Sequence, residues 1–410
     1  MLYGSSGGLT SVSDQFYEGR AGVADTAEEW DHFGAALVSG RCWGKDENGS
    51  LGHGSAGNIG DDESPCSVGA IDVGAPVVRL DPVNDEVDND GVCAILENGR
   101  ARCWGPGWTA PEQLPAAGIE ITADLPILQM AGSRDVKCAL LEGGVVRCWG
   151  RGAHLGYGDG LDRGVDSDPG TVLDTLPDVP LGGSAVELIS FAASVETTTC
   201  VLLTSGGVRC WGTAATLGYG TGEAIGDDET PAEAGDVPLG GPAIALTSTY
   251  HGQCALLEDR TIRCWGEDAA IGHYGYGDIF ADIDGIGDDE TPAEMGPVSV
   301  GAPVSAVFGG NNRTCVLLDG GQAKCWGRDI PGSLGYGPSV PRLYEPAPEA
   351  IEIGGEVRSL ALGTHHTCAL LDIGFRCWGL NDAGQLGLGT TSDLEFAGFP
   401  TEEPLLEACE

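Results

Sequence analysis

The residues in this chain with the chemistry to bind or bond are fifteen cysteines, a set of clustered carboxylates and seven histidines. Twelve of the cysteines fall into six pairs: Cys93 with Cys103, Cys138 with Cys148, Cys200 with Cys210, Cys254 with Cys264, Cys315 with Cys325, and Cys368 with Cys377. Five pairs are ten residues apart and the last is nine. Hairpin ligands for a tetrahedral zinc come as Cys-x2-4-Cys, so the spacing is wrong for that metal. Free thiols pack well as small buried hydrophobes, but six pairs in matching register are better explained as six disulfides. Such bonds persist outside the reducing cytosol, which predicts an extracytoplasmic protein, whether secreted, periplasmic or on a cell surface.

Three cysteines lie outside these pairs: Cys42, Cys66 and Cys409. The expectation is a closure bridge from Cys42 to Cys409 that joins the first and last segments, with Cys66 unpaired or linked to another chain. A Cys66 to Cys409 bridge is the alternative.

The carboxylates cluster as Asp61-Asp62-Glu63, Asp227-Asp228-Glu229 and Asp288-Asp289-Glu290, each inside an Ile-Gly-Asp-Asp-Glu-Ser/Thr-Pro segment. Clustered carboxylates are hard oxygen ligands suited to calcium, which makes these nine residues the candidate cation ligands. They lack the alternating Asp-x-Asp-x-Asp-Gly spacing of a dedicated loop, and a solvated, charge-rich turn accounts for them without any ion. No other cofactor is expected. Only His365 and His366 adjoin among the histidines, and neighbours on a strand point to opposite faces. With 62 Asp and Glu, some pair of acids must stand at glycosidase separation, so such a pair is weak evidence. A non-enzymatic role is expected.

These residues ride on a repeat. Cys-Trp-Gly begins at Cys42, Cys103, Cys148, Cys210, Cys264, Cys325 and Cys377, each time preceded by Arg or Lys. A pair ten residues apart reads as a hairpin: if Cys138 faces Cys148, Leu140 faces Val146 and the turn is Glu142-Gly143-Gly144. Such three-residue turns want a left-handed residue last, and that position holds Gly99, Gly144, Gly206 and Gly321, with Arg260 the exception. Trp149 and Arg147 share one side of their strand, which predicts stacking of guanidinium on indole. An alternating apolar run such as Ile244-Ala245-Leu246 precedes each upstream cysteine, and a Leu-Gly-Tyr-Gly-like stretch follows Cys-Trp-Gly. Short strands with turn signals at this spacing argue for an all-β fold. Seven such units across residues 1–410 predict a single domain, a seven-bladed β-propeller with four-stranded blades and one hairpin disulfide in six of them.

Composition supports this and narrows the partners. The 410 residues include 68 glycines, which disfavour helices at roughly 1 kcal/mol each relative to Ala. A net charge of −42 opposes binding to nucleic acid or anionic lipid. No run reaches the roughly 18 apolar residues of a membrane span, and residues 1–10 lack the basic start and apolar stretch of a secretory signal.

The repeat resembles that of the regulator of chromosome condensation family. The resemblance rests on His366-Thr-Cys-Ala-Leu-Leu, Arg376-Cys-Trp-Gly and Asn381-Asp-Ala-Gly-Gln-Leu-Gly-Leu-Gly, with weaker copies from about residue 30 onward. It implies a seven-bladed propeller, and the cysteine pairs with Ile-Gly-Asp-Asp-Glu-Thr-Pro inserts resemble its bacterial secreted or surface variety. The nuclear exchange-factor role is not expected of an acidic, oxidised chain. The expected function is an extracytoplasmic interaction or adhesion scaffold that binds a protein or surface polymer through propeller-face loops. The alternatives are a glycan-acting enzyme at the central channel and an oligomeric subunit of a surface fibre.

Overall fold

The computed structural model of the chain describes residues 33–38, 41–44, 51–53, 57–86, 89–105, 118–133, 136–165, 170–193, 196–212, 216–249, 251–267, 272–277, 285–328, 332–337, 340, 342–363, 365–372, 374–397 and 400–402. Each hairpin forms in the register its cysteines dictate. Cys138 pairs with Cys148, Leu140 with Val146 and Leu141 with Val145, leaving the turn 142–144. The last turn residue is left-handed in five blades, with φ of 77° at Gly99, 80° at Gly144, 83° at Gly206, 72° at Gly321 and 70° at Arg260. In the nine-residue pair, Leu371 meets Gly374 and two residues remain for the turn. All six pairs are disulfides between directly opposed strand residues, with Cα atoms 4.0–4.1 Å apart.

Among the described residues there are seven antiparallel sheets, six of which contain a cysteine hairpin. The first holds Phe33–Val38 and Arg41–Gly44, the second Val77–Glu86, Asn89–Leu96, Ala101–Trp104 and Ile119–Ile121, and the third Ile127–Ser133, Val136–Leu141 and Val145–Gly150. The fourth holds Ala185–Ala193, Glu196–Leu203 and Val208–Gly212, and the fifth Ala243–Thr249, Gly252–Leu257, Ile262–Glu267 and Gly285–Ile286. The sixth holds Val304–Gly310, Arg313–Leu318, Ala323–Arg328 and Arg342–Leu343, and the seventh Val357–Leu362, His366–Leu371, Gly374–Asn381 and Ser392–Ala397. Where the fourth strand shrinks, a single bridge stands in: Gly44 with Ile59, Gly150 with Arg163, Gly212 with Ile225. From the second sheet to the seventh, the first strand of each packs against that of the following sheet, so these are the inner strands of a propeller.

Two contacts recur between blades. The carbonyl of the last turn residue accepts from the first inner-strand residue of the next blade: Ile127 to Gly99 at 2.8 Å, Ala185 to Gly144 at 2.8 Å, Ala243 to Gly206 at 2.8 Å, Val304 to Arg260 at 3.0 Å and Val357 to Gly321 at 2.9 Å. The tryptophan of Cys-Trp-Gly lies against the Leu-Gly-Tyr-Gly stretch of the preceding blade. Trp265 Nε1 donates to Leu217 O at 3.1 Å, Trp378 Nε1 to Ser333 O at 3.1 Å, and Trp43 Nε1 to Gln385 O at 3.0 Å. The last of these joins the first blade to the seventh, where Trp43 also stacks on Phe375. The ring is closed by the same contact that joins its other blades.

The tyrosine of Leu-Gly-Tyr-Gly faces its own blade. Its hydroxyl lies 3.1 Å from both the N and the O of Cys148 for Tyr157, and 3.1 Å from both in Cys210 for Tyr219. Tyr276 does the same at Cys264, and Tyr336 accepts from the Cys325 N–H. Backbone groups of a third strand that would otherwise need a full fourth strand are thereby satisfied.

The structure corrects two expectations. Cys42 is a buried thiol, so the closure bridge from it to Cys409 is not formed; Cys66, by contrast, is disulfide-bonded. Cys409 itself lies outside the described residues. Arg147 does not stack on Trp149: its guanidinium binds Asp178 at 2.8 Å, Asp124 at 2.6 Å and the Leu173 carbonyl at 3.0 Å, because two carboxylates and a carbonyl outbid a ring face.

Candidate functional site

The three acidic segments fold alike, and each does so for reasons visible in its sequence. The isoleucine (Ile59, Ile225 or Ile286) pairs with the glycine of Cys-Trp-Gly and ends the blade's outer edge. The next glycine runs against the preceding blade: a Cβ on Gly226 would stand 2.8 Å from Gly156 Cα, one on Gly287 2.7 Å from Gly218 Cα, and one on Gly60 2.6 Å from Gly384 O. The Asp-Asp-Glu turn follows. Thr230 and Thr291 then cap the short helices Pro231–Ala234 and Pro292–Met295, with Glu233 and Glu294 completing capping boxes, while Ser64 caps Pro65–Ser67. The capping box was legible as Thr followed three residues later by Glu, a signal that the motif's carboxylates overshadowed.

Each Asp-Asp-Glu triplet brings three carboxylate oxygens within 4.8 Å of one another, at the junctions of blades seven and one, three and four, and four and five. Burial, and a hydrogen bond that the protonated acid gives the neighbouring aspartate, push Glu229 up to about 7, and the same causes push Glu290 up to about 7. Glu63 is raised as well, by its hydrogen bond with Asp62 first and burial second. Such a triplet holds either a shared proton near neutral pH or a hard cation. All nine residues singled out from the sequence stand in these three groups.

Among the described histidines, His273 behaves as a packing group. His273 is fully buried, its ring centroid 3.8 Å from that of Tyr274 and 6.1 Å from that of His251, and burial holds its pKa well below the usual histidine range. Thr314 Oγ1 donates to its backbone carbonyl at 2.7 Å. Around the axis, buried and half-buried polar side chains pin the inner strands of the second to sixth blades to one another. Gln129 bonds both the N–H and carbonyl of Leu188, Glu187 accepts from Leu246 N at 2.9 Å, Thr247 accepts from Gly309 N at 2.8 Å, and Asp81 accepts from Met130 N at 2.8 Å. Period-two patterning gave no sign of these polar staples, because each follows a bulge that has shifted its strand's register, Gln129 and Glu187 directly and Thr247 and Asp81 two residues on.

With this geometry in view, comparison with known proteins is informative. No protein-family model matches the chain. The Ultraviolet-B receptor UVR8 of Arabidopsis thaliana is 31% identical over 142 residues, 34% of this chain and 30% of the receptor. Prp20p of Saccharomyces cerevisiae superposes with a TM-score of 0.63 at 17% identity, over 90% of this chain and 87% of Prp20p. The chain has the propeller fold of Prp20p, and about a third of it is similar in sequence to the plant receptor. Human WBSCR16 shows the same fold, with a TM-score of 0.61 at 18% identity over 87% of this chain and 92% of that one. The matched segment spans less than a third of the plant receptor's length. Prp20p was described together with its binding to Gsp1p and histones. Among the described residues of this propeller, no helix is long and apolar enough to cross a membrane.

Proposed function

We propose that the chain is a protein-binding scaffold of the cysteine-paired, extracytoplasmic kind, formed by residues 1–410 as one propeller domain. The observation that carries this reading is the contrast between an invariant frame and variable surfaces. Six disulfides, the tryptophan contacts and the turn-to-strand hydrogen bonds repeat from blade to blade. The residues exposed at equivalent positions differ among blades, Val78, Leu128 and Ile244 standing where the sixth and seventh blades have Ser305 and Arg358, and binding residues commonly ride on such surfaces over a rigid scaffold. Yeast Prp20p binds Gsp1p and histones and is itself bound by Kap60, which supports a protein partner. The disulfides support an oxidising compartment, since six opposed cysteine pairs would be reduced in a glutathione-poised cytosol.

The test is affinity capture from an extracytoplasmic fraction of the source cells on the immobilised, oxidised chain, with the reduced and alkylated chain as control. A protein retained only by the oxidised ring supports the scaffold. Equal retention by both forms, or turnover of a glycan substrate by the oxidised chain, argues against it.

A further inference from the structure

The described residues include five strongly exposed large hydrophobics: Val78, Leu128, Leu161, Val165 and Ile244. Three of the five occupy one structural position. Val78, Leu128 and Ile244 are each the second residue of an inner strand, at the bulge where register shifts between 77 and 79, 127 and 129, and 243 and 245. They are 56%, 48% and 47% exposed, and the half-buried Val186 fills the same position in the fourth blade. The sixth and seventh blades place the exposed Ser305 and Arg358 there. The bulge therefore accepts polar residues, and the fold does not require the apolar ones.

A second observation follows the same division. The hairpin turn beside each bulge is tied to the strand by a backbone hydrogen bond, from Glu97 N to Pro76 O at 3.0 Å, Glu142 N to Pro126 O at 2.8 Å and Glu258 N to Pro242 O at 2.9 Å. The carboxylates of Glu97, Glu142 and Glu258 are exposed, and no cation neutralises them among the described residues. These are the turns of the second, third and fifth blades, the blades with Val78, Leu128 and Ile244. In the sixth and seventh blades the turn acids Asp319 and Asp372 are paired with Arg260 and Arg358. Unneutralised acid and exposed hydrophobe thus occur together on one set of blades, and both are absent from the other.

We infer that this face, from the second to the fifth blade, docks a protein segment that carries basic side chains beside apolar ones. The segment's apolar groups cover Val78, Leu128, Val186 and Ile244, and its Lys or Arg residues meet Glu97, Glu142 and Glu258. Charge complementarity selects this partner chemistry: an apolar but acidic segment is repelled by the rim, and a basic segment without apolar groups leaves the arc in water. The inference rests on the scaffold reading and specifies the surface and chemistry of its partner.

The probe is a fluorescein-labelled peptide of alternating leucine and lysine, titrated with the full oxidised chain and read by anisotropy. Binding to the wild type, weakened tenfold or more by the combined Val78→Ser, Leu128→Ser and Ile244→Ser changes, is expected. A Leu161→Ser, Val165→Ser double variant keeps wild-type affinity, which separates this face from the other exposed apolar residues. Leu128→Arg gives an independent variant, because the seventh blade carries Arg at the same position and folds with it; it is expected to weaken binding at least as much as Leu128→Ser. Thermal melts of each variant under non-reducing conditions, unchanged from wild type, establish that the ring is intact. The proposal is overturned if the triple variant binds as tightly as wild type, or if a serine-lysine peptide binds as tightly as the leucine-lysine one. Should a captured natural partner bind the triple variant undiminished, this surface fails while the scaffold reading stands.

Discussion

The hydroxyl that Tyr219 offers to Cys210 completes a strand edge with one atom. Removing it in Tyr219→Phe leaves a buried N–H and carbonyl with no replacement, a loss of about 1–3 kcal/mol, visible as a lowered melting temperature with the Cys200–Cys210 bond intact. The same burial pushes Tyr157, Tyr219, Tyr276 and Tyr336 each up to about 12. The neutral phenol is the form that the folded state holds, so the stability these residues contribute is present in full below pH 10 and drains away as pH climbs toward 12. Phenolate absorbance should therefore appear together with loss of tertiary structure in this window; four tyrosines titrating near 10 in a still-folded ring would contradict the burial argument. For Glu229 and Glu290 the sign is again that of a raised group: their contribution is complete below about 4.5 and lost as pH rises through about 7. Asp228→Asn and Asp289→Asn relieve the crowding, so each should raise the melting temperature at pH 8 and leave it unchanged at pH 4. The gain is a few tenths of a kcal/mol, on the order of other surface charge effects.

At the scale of elements, legibility followed sequence distance. The hairpins could be read because a cysteine pair, its turn glycine and the alternating apolar residues lie within a dozen positions and all demand one register. Even the exception held to the rule: Arg260 takes the left-handed turn position, with its guanidinium bound to the Val304 carbonyl and to Asp319. The acidic triplets came together because they are contiguous. What could not be read joins one blade to the next. Cys-Trp-Gly and Leu-Gly-Tyr-Gly were each visible as repeats, but nothing local says that the tryptophan of one unit rests on the glycine of the unit before it. Nor did Val77-Val78 announce a bulge, since two adjacent apolar residues read equally as a strand buried on both faces. The glycine contact makes a direct prediction. A Cβ at Gly218, where φ is +102°, would stand 2.7 Å from both Trp265 Nε1 and Val237 Cγ1. Gly218→Ala therefore combines left-handed strain with a clash, and should cost on the order of 2–3 kcal/mol. Destabilisation within a few tenths of a kcal/mol would mean that blades four and five are not locked by this contact.

Over the whole molecule, a ring differs from a row of blades only in how its ends meet. Consecutive blades are chained by continuous backbone as well as by contacts between them, whereas the first and seventh are not consecutive and meet through Trp43, Gln385 and Phe375 and through the Gly389 N–H on the Gly60 carbonyl. That seam is where opening by thermal motion should begin, and it is where a covalent tie contributes most. The cysteine count names the tie. Twelve of fifteen cysteines are spent on hairpins, Cys42 is a buried thiol and Cys66 is disulfide-bonded. Cys409 is thus the partner expected for Cys66, and the bridge would run from the short helix Pro65–Ser67 beside the first acidic turn to the chain's last residues. A loop this long closed by a disulfide is worth on the order of 5 kcal/mol in a chain-entropy account. Peptide mapping without reductant should recover one crosslinked pair holding Cys66 and Cys409, and Cys42 should be alkylated only after denaturation. Cys66→Ser, which removes the tie and leaves every hairpin intact, should lower the melting temperature and speed proteolysis at the first blade before any other. Recovery of a Cys42 to Cys409 peptide would move the tie to the other cysteine, and a Cys66→Ser ring as stable as wild type would show that the noncovalent contacts of the seam hold the circle shut.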